Sequence, residues 1–400
     1  MCDFLLLEHE MLLRFCASLD VETLAEAIKG ASTDDTVFIR TITTRSKRFL
    51  ARISYDYREE YDATLSQLVD DNLPSSKDPW YPYLAKFLVL QPAQSDSLLL
   101  DIALDDSEQG EVQDKNALIE FLCARHPRRV RAAKKQWEKR NDTSLVDALS
   151  DKLHGDLRKI ALAMLKGKRN QDLLNEDEAD VELAKKQAAL LKEDMGKHAI
   201  DILCSNSPAQ NAQISRQYEE TYDTSLPRAL REEFDGFAKA ALSALLLEPA
   251  YWYAARLKAS FKGDGASDRA VCRIIGAHDK AEIKAIAAAY DDKYGERLPS
   301  AIEKHCTGDY RRLAVAWIKL PDQLEQPEDL IELPKPEVEE VRTQSPCARM
   351  HAHTRAHAHW PEVEEVRTHS PMAAQSHARA RRPRARRPRA RTTPPPTTPP

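Results

Sequence analysis

The sequence predicts an all-α protein made of four related helical units, followed by a tail that has no core of its own. Three observations indicate this. No stretch of the body shows the period-two alternation of a half-buried strand. Four segments of the body align without gaps over a helical pattern. The tail repeats short polar motifs that cannot bury a core.

One aromatic residue and one leucine mark each unit, and both series advance by 80, 81 and then 72 residues. The aromatic landmarks are Tyr57, Trp137, Tyr218 and Tyr290, and the leucines are Leu65, Leu145, Leu226 and Leu298. Before each aromatic residue, an apolar cluster at helical spacing, a polar break and a second amphipathic segment follow one another, which predicts a pair of helices. Ten residues after the leucine stand Ser75, Gly155, Gly236 and Gly308.

These landmarks predict the organisation of the chain. The boundaries are an N-terminal segment at 1–18, four repeats at 19–90, 91–172, 173–248 and 249–320, and a disordered low-complexity tail at 321–400. The first and fourth repeats follow the common pattern most closely, whereas the second and third are degenerate.

Composition favours a cytoplasmic protein. Hydrophobic residues make up 42% of the chain, yet no apolar run approaches the roughly 18 residues of a membrane span. The apolar N-terminus contains three acidic residues and lacks a basic leading region, so it makes a poor signal peptide. The seven cysteines are scattered without a CxxC pair, which favours reduced thiols.

Charge is unevenly distributed. Residues 331–400 carry 13 basic and 7 acidic residues, a net of +6, which leaves −11 on the remainder of the chain. An acidic body does not bind anionic lipid or nucleic acid without added cations. The arginine-rich run at 379–391 could bind phosphates, but only in a salt-sensitive and unspecific way, so no specific nucleic-acid partner is expected. The histidine-rich run at 351–359 is either a transition-metal site or low-complexity sequence without function.

The body resembles the annexin family over residues 19–320. The resemblance is clearest in the fourth repeat, at 255–318, and nearly as clear at 24–65 in the first. It implies five helices per repeat, a slightly curved disc, and a convex face that docks on phospholipid through calcium. Four copies of one pattern in register carry this resemblance.

A glycine-rich turn, "KGDGASD" at 262–268, is the strongest candidate site. In annexins the turn between the first two helices reads K-G-x-G-T-[DE], and its backbone carbonyls coordinate calcium. The resemblance therefore implies that the carbonyls of Phe261, Gly263 and Gly265 face an ion. Calcium prefers six to eight oxygen ligands, and glycine permits the positive φ that turns carbonyls outward. A Gly-x-Gly connection outside this context is usually only a turn.

The first repeat offers a weaker copy of this loop, "KGASTDD". Ile28, Gly30 and Ser32 stand at the corresponding positions, so serine replaces the second glycine. Serine resists positive φ more than glycine does, which predicts a poorer site.

The acidic residue that completes an annexin site is missing from both loops. The family places it 42 residues after the first loop glycine, and we call this place in each repeat the cap position. This chain has His305 there in the fourth repeat and Asn72 in the first. Acids lie close by in the sequence at Glu303 and Asp71. Neutral ligands lower calcium affinity, so the resemblance implies weak sites.

The middle repeats depart in other ways. The second replaces the glycine turn by a longer acidic loop and has Lys152 at the cap position. The third lacks the loop, although Glu233 stands at its cap position.

The expected function is calcium-dependent binding to anionic phospholipid membranes, with the protein cytoplasmic and peripheral on the membrane. The alternative is a calcium-insensitive helical scaffold for protein or cytoskeletal partners. The N-terminal segment could bind a protein partner as an amphipathic helix, or pack on the protein's own surface. No nucleophile–base set, phosphate-binding loop or zinc spacing is present in the sequence, so no enzyme is expected.

Overall fold

The structure is a computed structural model that describes residues 2–28, 34–73, 78–104, 114–166, 179–262 and 267–321, with side chains from residue 14 onward. The chain separates into two units, Met1–Ala356 and His357–Pro400, and the described residues all belong to the first. Apart from Pro321, the predicted tail lies outside the described residues.

All regular structure in the described ranges is helical, as predicted. Helix α1, Cys2–Ala27, runs without a break from the predicted N-terminal segment into the first repeat, which also contains α2 Asp35–Thr43, α3 Lys47–Tyr61, α4 Leu65–Asn72 and α5 Trp80–Val89. The second contains α6 Pro92–Leu104, α7 Lys115–Ile119 with a π-helical continuation at Glu120–Ala124, α8 Pro127–Asn141, α9 Leu145–Lys152 and α10 Gly155–Leu165. The third contains α11 Val181–Glu193, α12 Met195–Ser205, α13 Pro208–Tyr222, α14 Leu226–Glu233 and α15 Gly236–Ala244. The fourth contains α16 Pro249–Ser260, α17 Asp268–Gly276, α18 Lys280–Tyr294, α19 Leu298–His305 and α20 Gly308–Lys319.

The third helix of every repeat starts and stops by the same local chemistry. A polar side chain at the N-cap accepts a hydrogen bond from a backbone amide of the first turn, which satisfies a donor that the helix leaves open. The caps are Ser46, His126, Ser207 and Asp279. A residue with left-handed backbone then ends the helix, and Asp and Gly tolerate that conformation. These residues are Asp62, Asp142, Asp223 and Gly295.

The sequence landmarks form the centre of the core. The four aromatic landmarks are each at most 6% exposed, and the four leucines at most 1%. Burial of side chains this large contributes roughly 1.5–3 kcal/mol each, so the landmark positions carry much of the stability of each repeat. Within the described ranges, no helix is both long and apolar enough to cross a membrane.

The first and fourth repeats are joined at the start of α20. The Asp78 carboxylate, from the first repeat, accepts hydrogen bonds from the backbone amides of Asp309 (2.7 Å) and Tyr310 (3.1 Å). An anionic side chain at a helix N-terminus pairs with open amide donors and with the positive end of the helix dipole. Gly308 precedes these amides with φ of +71°, and its lack of a side chain leaves room for the carboxylate.

Candidate calcium sites at the helix ends

The two predicted calcium loops are closed by the same backbone hydrogen bond. The amide of Ser267 donates to the carbonyl of Ser260 (2.7 Å), and the amide of Asp34 donates to the carbonyl of Ala27 (2.6 Å). These pairs occupy equivalent positions in the fourth and first repeats. Gly263, Gly265, Gly30 and Ser32 themselves lie outside the described residues. The residues that flank the two loops are therefore held together by the same bond in both repeats.

His305, at the cap position of the fourth repeat, lies against the start of its loop. Its imidazole stacks on the ring of Phe261, with ring centroids 5.3 Å apart and an angle of 13° between planes. Phe261 is the residue whose carbonyl was predicted to face the ion, and its side chain is buried. The structure thus brings residues 261 and 305 together, but through an aromatic contact and without a carboxylate.

The first repeat has the same frame with different side chains. Ile28, the counterpart of Phe261, is fully buried. Asn72, the counterpart of His305, donates its side-chain amide to the carbonyl of Leu68 within its own helix (3.0 Å). That bond directs the amide nitrogen back along α4 and adds no charge to the cap position.

Of the two nearby acids, Glu303 is paired with a cation and Asp71 lies close enough to Tyr57 to affect its hydroxyl. Glu303 pairs with Lys319 (2.8 Å), and both side chains are half exposed. The charge of Asp71 adds to burial in raising the pKa of the Tyr57 hydroxyl. Exposed ion pairs contribute about 0–1 kcal/mol, so the pairing of Glu303 is weak enough to exchange for another cation.

The third repeat keeps the acid and has lost the loop. Glu233 ends α14, and its carboxylate lies so close to Gly196 that a Cβ there would meet Oε1 at 2.6 Å. Asp194 ends one helix and caps the next, because its Oδ1 accepts from the amide of Lys197 (3.0 Å). The carboxylate of Glu233 therefore faces the first turn of α12, where an intact annexin repeat would have its loop.

The described residues around these loops do not form a ready-made metal cluster. Among the described residues, no group of three or more His, Cys, Asp or Glu side chains is placed to hold a metal ion. Neither cap position supplies a carboxylate, and calcium affinity falls as the number of charged ligands falls.

A buried ion network lies at the centre of the body, and the sequence patterns did not reveal it. The Arg125 guanidinium, almost fully buried, binds Asp96 (2.8 Å) and Glu120 (2.9 Å). It also donates to the hydroxyl of Tyr253 and to Nε2 of His278. Glu120 opens the π-helical turn, a distortion that often accompanies functional or strained sites.

Two more arginines extend this network between the second and fourth repeats. Arg273 binds the second carboxylate oxygen of Glu120 (2.9 Å). Arg129 binds Asp96 (2.8 and 3.0 Å) and Glu282 (3.1 Å). The sequence contained one hint of this network, namely charged residues at positions where the helical pattern predicts apolar ones. That pattern does not show which charges pair, because the partners lie about 150 residues apart in the sequence.

The network shifts two neighbouring titratable groups. Burial and the positive charges of Arg125 and Arg129 hold the pKa of His278 well below its usual range, so this ring is neutral in the folded protein. Burial, aided by Arg129, lowers the pKa of Lys47 to about 7. Its ammonium group donates to the carbonyl of Phe87 (2.6 Å) at the end of α5.

The chain is similar to known annexins over the whole helical body. The annexin family model matches residues 19–74, 101–164, 186–245 and 253–317. Annexin A13 of Mus musculus is 26% identical over 316 residues, which cover 76% of this chain and 95% of the relative. Annexin A3 of Mus musculus is 28% identical over 309 residues, which cover 74% and 91%. The solved structure of annexin III superposes with a TM-score of 0.68 at 25% identity, over 76% of this chain and 93% of that one.

Proposed function

The chain belongs to the annexin family, and on that premise we propose that it binds anionic phospholipid membranes peripherally through weak calcium sites in its first and fourth repeats. Calcium-dependent phospholipid binding is the general activity of annexins. In the fourth repeat, the carbonyls of Phe261, Gly263 and Gly265 would hold the ion, with His305 or Glu303 nearby. In the first repeat, Ile28, Gly30 and Ser32 would supply carbonyls, with Asn72 or Asp71 nearby. A bound calcium ion would link these oxygens to lipid phosphate.

The matching loop closures carry this proposal. Equivalent amide–carbonyl bonds, Ser267 to Ser260 and Asp34 to Ala27, hold the ends of both loops. The two loop sequences are therefore flanked by the same backbone bond in both repeats. The second and third repeats have departed from this loop sequence, so the proposal assigns calcium only to the first and fourth.

A calcium-insensitive scaffold is the second candidate, and a specific observation favours it. His305 packs on Phe261 and Asn72 bonds to its own helix, so neither cap position presents a charged oxygen. Under this alternative the fold persists while protein or cytoskeletal partners replace the membrane. The N-terminal helix is a candidate partner surface, because Phe15 and Leu19 on α1 are exposed one turn apart.

Co-sedimentation with vesicles separates the two candidates. Full-length protein is mixed with phosphatidylserine–phosphatidylcholine vesicles across a calcium titration, with phosphatidylcholine vesicles as the matched control. We expect binding to the anionic vesicles with a midpoint on the order of 10⁻⁴–10⁻³ M calcium, the range of weak protein sites. Binding that is absent throughout this range, or unaffected by a chelator, contradicts the calcium-dependent proposal and supports the scaffold.

A further inference from the structure

Helix α8 carries a charge that its counterparts in the other repeats lack. It holds seven basic residues and one acidic residue. The equivalent helices hold four basic and three acidic residues in α3, one and two in α13, and three and three in α18. Because three repeats form the same helix without such a charge, the fold does not require it. Three of the seven cations of α8 pair with carboxylates of the body, namely Arg129, Lys134 and Arg140. The other four need a separate explanation.

Four of these cations form a continuous exposed stripe. Arg128, Arg131, Lys135 and Lys139 are spaced three, four and four residues apart, which places them on one face of the helix. All four are exposed, and none is paired with a carboxylate within the described part of the chain. We call these four residues the α8 stripe. It extends over about 16 Å of helix.

The last helix of the body ends beside the first turn of α8. The side chain of Lys280, the first residue of α18, donates to the carbonyl of Leu320 (3.0 Å), just past the end of α20. Two residues further along α18, Glu282 binds Arg129 in the first turn of α8 (3.1 Å). The first turn of α18 thus contacts both the point where the chain leaves α20 and the point where the stripe begins.

The segment that follows has the opposite charge. Residues 322–341 continue directly from Pro321 and hold eight acidic residues and one basic residue. A segment of twenty residues reaches up to roughly 70 Å when extended, which is far more than the length of the stripe. Its origin, its length and its charge all allow it to lie along α8.

An apolar cleft beside the stripe adds a place for side chains. Val130, Met164 and Leu165 line this cleft together with the basic residues Arg131 and Lys134. The acidic segment contains the apolar run Leu330–Ile331 between acidic residues. Its chemistry, apolar residues flanked by carboxylates, matches a cleft whose lining combines apolar and basic side chains.

We propose that residues 322–341 dock along the α8 stripe of the same chain and cover the most basic helix of the body. The short connection from Pro321 makes the contact intramolecular and raises the effective concentration of the segment. Exposed ion pairs are individually weak and screened by salt, so the segment binds reversibly. While it is bound, other polyanions are excluded from the stripe.

Protease protection in the full-length protein tests this contact. Glu-C cuts after glutamate, and mass spectrometry gives the cleavage rates at 325–340 and at a reference site, 362–365, whose local sequence repeats that of 337–340. At about 0.05 M NaCl we expect cleavage in 325–340 to be about threefold slower than at the reference site. The difference should vanish at about 0.5 M NaCl, a result that needs no variant.

Matched charge reversals locate the contact. Arg131→Glu with Lys135→Glu should remove the protection. Lys284→Glu with Ala288→Glu places two glutamates at the equivalent exposed positions of α18 and should leave it intact. Equal cleavage of the two sites in the unmodified protein at low salt overturns the proposal, as does equal loss of protection in both variants. Single-stranded RNA supplies a further test of the stripe. Suppose that the unmodified chain shows no protection, and that the RNA binds this chain but does not bind the Arg131→Glu, Lys135→Glu variant. The proposal then also fails, because the stripe binds an external polyanion.

Discussion

His305 lies flat on the ring of Phe261, at the position where an intact annexin repeat has the acid that completes its calcium site. The contact places an aromatic ring, and no carboxylate, beside Phe261. It keeps residue 305 within reach of the loop while removing the negative charge that calcium requires. Under the proposed function, residue 305 is therefore the position at which a single substitution tests the calcium site of the fourth repeat.

Replacing that side chain should strengthen calcium binding. His305→Asp adds a carboxylate beside the carbonyl of Phe261, and the lost aromatic contact costs little because the position is at a helix end. We expect the calcium midpoint for binding to phosphatidylserine vesicles to fall about tenfold, which corresponds to roughly 1.4 kcal/mol. Asn72→Glu should act in the same direction in the first repeat, but less strongly because Ser32 resists positive φ.

Two controls separate charge from packing. His305→Phe keeps a ring on Phe261 without adding an oxygen, so it should leave the midpoint unchanged. Gly265→Val in the His305→Asp background should cancel the gain, because valine disfavours the positive φ that the proposed site requires at this position. If the aspartate produces no calcium-dependent binding even at millimolar calcium, these loops are connections between helices and not ion sites.

The repeat pattern allowed most of the fold to be predicted. Tyr57 and Leu65, with their counterparts, are buried at the centre of each repeat, because their spacing reflects packing inside one unit. Gly155, Gly236 and Gly308 all have positive φ, a backbone requirement that a single residue type reveals. These features are local to one repeat and recur, so the sequence displays them several times.

For the candidate calcium site of the fourth repeat, the sequence predicted which residues to examine but not the contacts they make. Counting along the repeat identified residue 305, but its stacking on Phe261 depends on a contact across 44 residues between two helix ends. The buried network was missed for a related reason. Arg125 looks like a surface arginine in the sequence, and only the packing of the second repeat against the fourth brings it to His278. Pairings between repeats leave no periodic signal.

Breaking the buried network should cost much more stability than breaking an exposed ion pair. Asp96→Asn removes the charge that binds both Arg125 and Arg129, and it leaves two guanidinium groups without their shared partner. We expect a loss of about 3–5 kcal/mol in the free energy of unfolding, measured by urea titration with circular dichroism.

The matched control is an exposed pair in the third repeat. Arg228 binds Glu232 (3.0 Å) with both side chains about two-thirds exposed. Arg228→Gln should therefore cost less than about 1 kcal/mol. Similar losses in the two variants would show that the network at Arg125 is hydrated and does not hold the repeats together.

Acid should destabilise the protein through His278. Because the pKa of His278 is held below its usual value in the folded state, the unfolded chain takes up a proton first as the pH falls below about 6.5. The free energy of unfolding should then decrease as the pH falls from 6.5 to 5, by up to about 1.4 kcal/mol per pH unit.

A glutamine at position 278 isolates this contribution. His278→Gln keeps a polar side chain beside Arg125 and does not titrate, so its unfolding free energy should fall less steeply over the same interval. Lys47, whose pKa is lowered to about 7, acts in a different interval. Its contribution to stability decreases as the pH falls from about 10 to 7, and it adds no slope below that. Parallel slopes for the wild type and His278→Gln between pH 5 and 6.5 would assign the acid sensitivity to other groups.

The contact between Asp78 and the start of α20 should make Gly308 the least replaceable of the repeat glycines. At Gly155 an added Cβ meets nothing within 4 Å, so Gly155→Ala costs only the left-handed backbone, about 1–2 kcal/mol. At Gly308 the Cβ would also collide with Oδ2 of Asp78, which displaces the carboxylate from the amides of Asp309 and Tyr310. We expect Gly308→Ala to lose about 1–2 kcal/mol more than Gly155→Ala in urea unfolding, the value of a helix cap.

A double-mutant cycle then tests the cause. In an Asp78→Ala background the capping carboxylate is already absent, so the additional cost of Gly308→Ala should fall to that of Gly155→Ala. An unchanged additional cost in that background would mean that the steric conflict lies elsewhere and that Asp78 does not join the first repeat to the fourth.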